Sequence, residues 1–198
     1  MTILGNREFI ELTVKRLNLS LDLDAVKIEA PVSSIRFEEY AQTLFELRKS
    51  KGLTIEMARD LMLDVSYFGT MMVFKGHADG MVSGAVHTTQ HTIRPALQFV
   101  KTKPGVATVS SVFFMCLPNR VSVFGDCAVV PNPTSEQLAD IAISSAESAK
   151  MLGIEPKIAM LSYSSGSSGE GEDVEKVRKY PTRQNSETGI KSGRADPI

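Results

Sequence analysis

The sequence predicts an α/β protein, because amphipathic helical segments alternate with short apolar runs of strand length. Several segments repeat apolar residues every three or four positions, which is typical of helices that bury one face. Two runs, 106–117 and 121–130, are almost wholly apolar and lie between turn residues, as expected of strands in a sheet. No internal repeat and no sustained heptad pattern is present, so neither a solenoid nor a coiled coil is expected.

The first four predicted elements are helices. They span residues 6–17, residues 34–50, the segment that follows Thr54, and Val65–Phe74. The first helix places five residues on one face, namely Phe9, Ile10, Thr13, Val14 and Leu17. The second helix is expected to stop near Gly52, and Thr54 to cap the third.

Strand patterns follow in the middle of the chain. Asp79–Val86 predicts a short buried strand, and residues 88–101 return to a helical pattern that contains Pro95. Because proline has no N–H to donate, the helix is expected either to begin just before Pro95 or to kink there. The apolar runs 106–117 and 121–130 are predicted to be central strands.

The last predicted elements begin after a Pro-Asn-Pro turn. Thr134 and Gln137 fit a capping box for a long helix that reaches about Leu152 and ends at Gly153. A strand is predicted for Lys157–Tyr163, then a Gly/Ser-rich loop over 164–173, then a short helix from Val174. The final 21 residues contain five basic and two acidic side chains, and their few apolar residues follow no period. We therefore predict a disordered tail over 178–198.

Composition excludes several classes of function. The 198 residues carry a formal net charge of −1, so there is no basic footprint for nucleic acid or for an anionic membrane. The sequence contains no run of 18 apolar residues, so no transmembrane helix is expected. The start of the chain lacks a signal-peptide pattern, and two cysteines are too few for a disulfide framework, so we expect a cytoplasmic protein.

Histidine and cysteine offer little chemistry on sequence grounds alone. His87 and His91 have the i, i+4 spacing of some zinc ligands. The catalytic glutamate of that motif is replaced by Thr88 and no third ligand is evident, so no metal site is expected. Cys116 and Cys127 lie in or beside apolar runs and are expected to be buried. The Gly/Ser-rich loop could cradle a phosphate, but it lacks the lysine of a P-loop.

Two arginines are better candidates for an anion site. Arg94 stands at a predicted helix start rich in hydroxyl groups, where free N–H groups attract anions, and a guanidinium matches phosphate oxygens in geometry. Arg48 closes a helix, where a cation also stabilises the dipole. The residues alone leave both interpretations open.

Four stretches resemble the phosphate acetyltransferase (phosphotransacetylase) family. They are EYAQTLFELRKSKGLT (39–54), DGMVSGAVHTTQHTIRPALQFVKT (79–102), VSSVFFMCLPNRVSVFGDCAVVPNPT (109–134) and SEQLADIAISSAESAKMLGIEPKIAMLSYSSGSSG (135–169). The resemblance covers about residues 2–177. It implies reversible acetyl transfer between acetyl phosphate and coenzyme A, as part of acetate metabolism, with coenzyme A as a substrate and no further cofactor.

The resemblance also implies an architecture. Members have two three-layer α/β domains with a cleft between them, similar to isocitrate and isopropylmalate dehydrogenases, and usually form homodimers. The hinge would fall near Thr102. Residues 1–102 would then belong to the first domain and 103–177 to the second, with 178–198 as a divergent tail.

By the same resemblance, Arg48 and Arg94 bind the phosphate end of the substrate. Five further residues are expected to line the cleft, namely Ser83, Gly84, His87, Thr88 and Thr89. The family's N-D-L-S-R-G segment, near which the aspartate proposed as base lies, is not found in this sequence, nor are the family's first strand and helix. We therefore expect an incomplete chain whose catalytic base is not identified.

Three functions remain open on these grounds. The first is an acyltransferase, either for acetyl groups or of the phosphate butyryltransferase type. The second is a non-catalytic regulatory module that binds acetyl-CoA. The third is a fragment with no function of its own.

Overall fold

The computed structural model of the protein describes residues 1–165 and 168–179. These residues form two compact units. One is Met1–Lys101, and the other consists of the described residues from Thr102 onward. Within the described ranges, no helix is both long enough and apolar enough to cross a membrane.

The first unit is mainly helical. Its elements in chain order are β1 (Thr2–Leu4), α1 (Arg7–Arg16), β2 (Lys27–Glu29), α2 (Phe37–Arg48), α3 (Ile55–Met62), α4 (Val65–Phe74) and α5 (Thr89–Pro95). The two strands pair in parallel with Ile3 opposite Ile28. A 3-10 turn, Lys49–Lys51, follows α2, and a π-helical turn, Ala96–Val100, follows α5.

Local capping explains where the helices of this unit begin and end. The Thr54 side chain accepts a hydrogen bond from the Met57 N–H, so the predicted cap of α3 is confirmed. Gly52 has a φ of +83°, a left-handed conformation that glycine adopts without a steric penalty, and it ends the turn after α2 as expected. The predicted helices over 6–17 and Val65–Phe74 are also present.

The core of the first unit joins α2, α3, α4 and the π-helical turn. Its largest fully buried side chains include Tyr40, Leu44, Met62, Phe68 and Met71. Burying such a side chain stabilises the fold by about 1.5–3 kcal/mol. The Tyr40 hydroxyl lies 2.6 Å from Nδ1 of His77, and burial raises the pKa of Tyr40 to about 12. This hydrogen bond satisfies the one polar group of an otherwise apolar side chain.

The second unit contains a hairpin and two helices. The elements are β3 (Val112–Leu117), β4 (Arg120–Gly125), α6 (Ser135–Met151) and α7 (Glu172–Lys179). The strands β3 and β4 are antiparallel, with Phe114 opposite Val123. Thr134 and Gln137 form the predicted capping box, and Gly153, with a φ of +73°, ends the helix as expected.

Small side chains allow α6 to approach the hairpin. Ile141, Ala142, Ala146 and Ala149 are the buried residues of α6. A β-carbon at Gly125 would collide with the Ser145 hydroxyl, so glycine at the end of β4 leaves room for that side chain. Sheet and helix thus pack closely at this point.

The carboxylate of Asp126 organises the loop that follows β4. It accepts hydrogen bonds from the hydroxyl and N–H of Ser111 and from the N–H groups of Ala128, Val129 and Val130. Desolvation raises the pKa of Asp126, but these hydrogen bonds outweigh it and lower the pKa from 3.8 to about 2. The carboxylate therefore remains ionised over the physiological range.

Two strand predictions are wrong, and two others are confirmed only in part. Asp79–Val86 is irregular, because Gly84 has a φ of +111° that a strand cannot accommodate, and Val82 and Val86 are exposed. Lys157–Tyr163 holds an isolated bridge residue at Ile158 rather than a strand. The runs 106–117 and 121–130 yield only the shorter β3 and β4, joined by a two-residue turn as a hairpin instead of lying centrally in a sheet.

Two predictions of burial are also wrong. Phe9 on α1 and Leu17, the C-cap of that helix, are exposed, so the predicted apolar face is not buried. Cys116 is exposed because most side chains of β3 are uncovered, and Cys127 is half-buried in the loop after β4. Helix α7 runs to Lys179, two residues into the segment predicted as a tail, and the rest of that prediction lies outside the described residues.

Candidate anion-binding site

A pocket of about 360 Å³ opens on the first unit, and both predicted phosphate ligands line it. Its lining comes from the end of α2 and the turn after it, from α3, from α4, and from α5 with its π-helical turn. The lining residues are Arg48, Lys51, Gly52, Leu53, Met57, Asp60, Leu61, Tyr67, Arg94 and Gln98. Residues far apart in the sequence therefore form one surface.

Arg48 is positioned by a backbone carbonyl. It is the last residue of α2, and its Nη1 donates a 3.3 Å hydrogen bond to the carbonyl oxygen of Gln98. That bond uses one of the five N–H donors of a guanidinium. The remaining donors are available to a bound anion.

Arg94 brings a second guanidinium to the same pocket. It lies in the last turn of α5 and is exposed, and it makes no side-chain hydrogen bond or ion pair with any residue in the described part of the chain. Lys51 adds a third cation to the lining, and Asp60 supplies the single carboxylate among the described lining residues. The excess of positive charge attracts an anion.

Tyr67 and Gln98 contribute neutral polar groups to the pocket lining. The Tyr67 hydroxyl donates a 3.0 Å hydrogen bond to Oε1 of Gln98. Burial raises the pKa of Tyr67 above its ordinary value of 10.0, and the nearby charge of Arg94 offsets part of that rise. The phenol is therefore neutral at physiological pH and acts as a hydrogen-bond donor.

The lining of the pocket also includes apolar side chains, namely Leu53, Met57 and Leu61. A ligand that carries a small apolar group next to a phosphate matches both kinds of surface.

The five residues expected to line a cleft do not line this pocket. Ser83 and Gly84 lie in the irregular segment before α5. Thr88 is the N-cap of α5 and accepts a hydrogen bond from the His91 N–H, and Thr89 begins the helix. His87 stacks on His91, with the ring centroids 4.5 Å apart. Their placement in a cleft stays a prediction.

The two histidines have a third potential metal ligand nearby. Oδ2 of Asp64 lies 2.9 Å from Nε2 of His91, although the two residues are 27 positions apart. No spacing rule would have identified Asp64 from the sequence.

A larger pocket, of about 580 Å³, lies in the second unit beside the described part of the Gly/Ser-rich loop. Its charged lining residues are Glu170, Glu172, Glu175, Lys176, Arg178 and Lys179. Three carboxylates balance three cations, so this surface has no excess of positive charge for a phosphate. Residues 166 and 167 of the loop lie outside the described residues.

Sequence reasoning missed four polar residues of the anion pocket, Lys51, Asp60, Tyr67 and Gln98. Lys51 stands in the same basic run as Arg48 and could have been included on that ground. The other three are polar positions on predicted helices, and nothing in their spacing indicates that they converge.

Comparison with known proteins decides the family. The model of the phosphate acetyl/butaryl transferase family matches residues 1–184, almost the whole chain. The chain is a member of this family. The predicted resemblance is confirmed, and the match extends a few residues further than expected.

Curated relatives of this phosphate acetyl/butaryl transferase chain are closely similar over most of its length. The phosphate acetyltransferase of Synechocystis is 63% identical over 179 residues, which cover 90% of this chain and 26% of the relative. That of Helicobacter pylori is 52% identical over 182 residues, covering 92% of this chain and 35% of the relative. The chain thus spans about a quarter to a third of the length of these relatives.

Two solved structures share the fold of this family member. The EutD phosphotransacetylase from Staphylococcus aureus superposes with a TM-score of 0.82 at 40% identity, covering 100% of this chain and 60% of that one. A phosphotransacetylase from Streptococcus pyogenes gives a TM-score of 0.80 at 40% identity, covering 98% and 59%. Together with the observed mixture of helices and strands, these likenesses confirm the predicted α/β fold class.

Proposed function

We propose that this chain carries the phosphate-binding part of an enzyme that transfers an acetyl group between acetyl phosphate and coenzyme A. The observation that carries the proposal is the convergence of Arg48, Arg94 and Lys51 on one pocket whose described lining contains a single carboxylate. Charge-assisted hydrogen bonds from arginine to phosphate contribute about 1.5–3 kcal/mol each. The relatives' name, phosphate acetyltransferase, favours acetyl over butyryl as the transferred group.

The reaction explains why such a pocket is useful. The thiolate sulfur of coenzyme A attacks the carbonyl carbon of acetyl phosphate, a C–S bond forms, and the C–O bond to the phosphate breaks. Inorganic phosphate leaves with the electron pair, and the thiol proton passes to a base. Arginines that bind the phosphate oxygens stabilise the charge that accumulates on the leaving group.

The residues of the pocket divide these tasks. Arg48 and Arg94 bind the phosphate, and the apolar lining residues Leu53, Met57 and Leu61 accommodate the methyl group. Tyr67 stays protonated, so it positions Gln98 and does not serve as the base. We assign no residue of this chain as the base, and coenzyme A enters as a substrate rather than as a bound cofactor. A cytoplasmic location and a homodimer stay predictions.

Two measurements on the untagged chain test the proposal. The first follows coenzyme A-dependent formation of acetyl-CoA from acetyl phosphate. Turnover above background supports catalysis by this chain, and its absence contradicts it. The second is a calorimetric titration with acetyl-CoA, in which binding without turnover would instead support the non-catalytic module.

A third measurement isolates the pocket from the chemistry. Inorganic phosphate should bind to the parent chain and at least about tenfold more weakly to Arg94→Ala, since one charge-assisted bond of 1.5–3 kcal/mol is worth about that factor or more. Arg59→Ala is the matched control, because Arg59 is an exposed helix arginine paired with Glu38 and does not line the pocket. Equal phosphate affinity in all three proteins would rule out Arg94 as a ligand.

A further inference from the structure

A cluster of three metal-ligating side chains lies at the junction of α4 and α5. Each of Asp64, His87 and His91 offers one ligand atom, and these three atoms lie within 4.8 Å of one another. The closest pair is Nε2 of His91 and Oδ2 of Asp64, at 2.9 Å. All three side chains are half-buried, so the cluster is accessible to an ion from solvent.

The carboxylate of this cluster is held in place by the fold. Asp64 is the N-cap of α4, and its Oδ1 accepts hydrogen bonds of 2.9 and 3.1 Å from the N–H groups of Ser66 and Tyr67. Those bonds orient the other oxygen, Oδ2, toward His91. A ligand held by backbone donors in this way is typical of metal sites, where supporting hydrogen bonds fix the ligating atoms.

The start of α5 positions the two imidazoles differently. Thr88 caps this helix, and its hydroxyl accepts a 3.2 Å hydrogen bond from the His91 N–H. His87 lies just before the cap in non-helical backbone, and its ring stacks on that of His91 at an interplanar angle of 9°. Parallel rings do not yet direct both nitrogens at one point, but His87 can rotate because the helix does not constrain it.

We propose that Asp64, His87 and His91 bind one divalent transition-metal ion of the zinc class. Two imidazole nitrogens and one carboxylate oxygen form a donor set that suits zinc and its neighbours better than magnesium or calcium. Tetrahedral metal–ligand bonds of about 2.0–2.2 Å place two ligand atoms about 3.3–3.6 Å apart, so the 2.9 Å between Nε2 of His91 and Oδ2 of Asp64 needs only a small widening to admit the ion. Three protein ligands leave a fourth position open to water or an anion.

A hydrogen bond alone accounts for only part of this arrangement. The contact of His91 with Asp64 would serve as an ordinary ion pair or hydrogen bond between two helices. It does not account for the second imidazole, which brings another nitrogen to the same carboxylate without making a hydrogen bond to any residue in the described ranges. An ion shared by the three groups accounts for all of them.

Few other histidine or cysteine side chains in the sequence could bind zinc, so the test can be made specific. Besides this pair, the chain has one histidine, His77, and the two cysteines Cys116 and Cys127. His77 bonds to the Tyr40 hydroxyl. His77→Gln and the double variant Cys116→Ser/Cys127→Ser therefore serve as controls for zinc bound elsewhere.

The experiment is a calorimetric titration of the untagged 198-residue chain with Zn²⁺. We expect saturable binding of one ion per chain. His87→Asn and His91→Asn should each weaken that binding by at least about tenfold, the lower limit seen even for supporting residues of metal sites. The His77 and cysteine variants should bind zinc as the parent does.

A further variant separates loss of a ligand from loss of structure. Asn caps helices as well as Asp does, so Asp64→Asn should keep α4 and its circular dichroism spectrum while it weakens zinc binding. The proposal is overturned if the parent shows no saturable binding, if His87→Asn binds as tightly as the parent, or if His77→Gln loses binding to the same extent. None of these results depends on acetyl transfer.

Discussion

The Tyr67 hydroxyl donates a hydrogen bond to Oε1 of Gln98 at 3.0 Å. The backbone carbonyl of the same Gln98 accepts a hydrogen bond from Arg48. Gln98 thereby joins a helix of the core, α4, to the arginine that ends α2. The cationic wall of the pocket is thus supported by a buried tyrosine rather than by an acidic partner, which leaves the charge of Arg48 available to a ligand.

Loss of the Tyr67–Gln98 hydrogen bond should reduce stability more than it reduces phosphate binding. We expect Tyr67→Phe to lower the free energy of unfolding by about 0.5–1.5 kcal/mol, because Gln98 loses a donor while the aromatic ring still packs against Phe99. Urea unfolding measures the change. Affinity for inorganic phosphate should fall less than in Arg94→Ala, because both guanidiniums remain. An unchanged midpoint would show that the hydrogen bond is dispensable.

Lysine variants distinguish charge from geometry at the two arginines. Arg94→Lys keeps the positive charge but loses the planar fork that bonds two phosphate oxygens at once. We expect phosphate affinity between those of the parent and Arg94→Ala. Arg48→Lys should weaken binding as well, and it also loses the bond to the Gln98 carbonyl. Titration with inorganic phosphate measures both, and parent-like affinity in both variants would mean that the pocket responds to charge alone.

Helix boundaries were predictable because their signals are local. Thr54, Thr134 and Gln137 each take part in a helix cap through a bond to a residue three positions away, and the sequence shows such neighbours directly. The strands failed for the opposite reason. An apolar run such as Asp79–Val86 indicates burial only if another segment pairs with it and covers it, and that depends on the rest of the fold.

The anion pocket likewise combines features that the sequence shows locally with contacts that depend on the rest of the fold. The basic run around Arg48 and the guanidinium of Arg94 were visible in the sequence. The expected position of Arg94 at a helix start was wrong, because α5 begins at Thr89 and Arg94 lies in its last turn. The convergence of the two arginines was not visible in the sequence, because the bond from Arg48 to Gln98 spans 50 positions and the π-helical turn after Pro95 sets the position of Gln98. From the sequence, only the family resemblance predicted that the two arginines share one site.

The helical period of α2 makes a matched pair of core variants. Leu44 is fully buried, whereas Leu47, one turn later, is 43% exposed. We expect Leu44→Ala to lower the free energy of unfolding by about 2–5 kcal/mol, since it leaves a cavity among the side chains of α3 and α4. Leu47→Ala on the same helix should cost clearly less. Chemical unfolding of both variants tests this, and equal losses would contradict the assigned core.

Acid stability should depend on Asp126. Its pKa is about 2 in the folded protein, against 3.8 for an unperturbed carboxyl, because Ser111 and three backbone N–H groups bond the charged form. A group whose pKa falls on folding stabilises the protein above its unfolded pKa. That stabilisation is therefore complete above about pH 4 and is lost as the pH falls toward 2.

Asp126→Asn removes this dependence while it preserves side-chain shape. We expect the variant to melt at a lower temperature than the parent at pH 7, because an amide cannot accept all of these hydrogen bonds. The difference should shrink between about pH 4 and pH 2 as the parent's carboxylate becomes protonated. Melting temperatures over pH 2–7 measure it, and the other acidic groups cancel because both proteins share them. A difference that stays constant over that range would mean that the Asp126 charge does not stabilise the loop after β4.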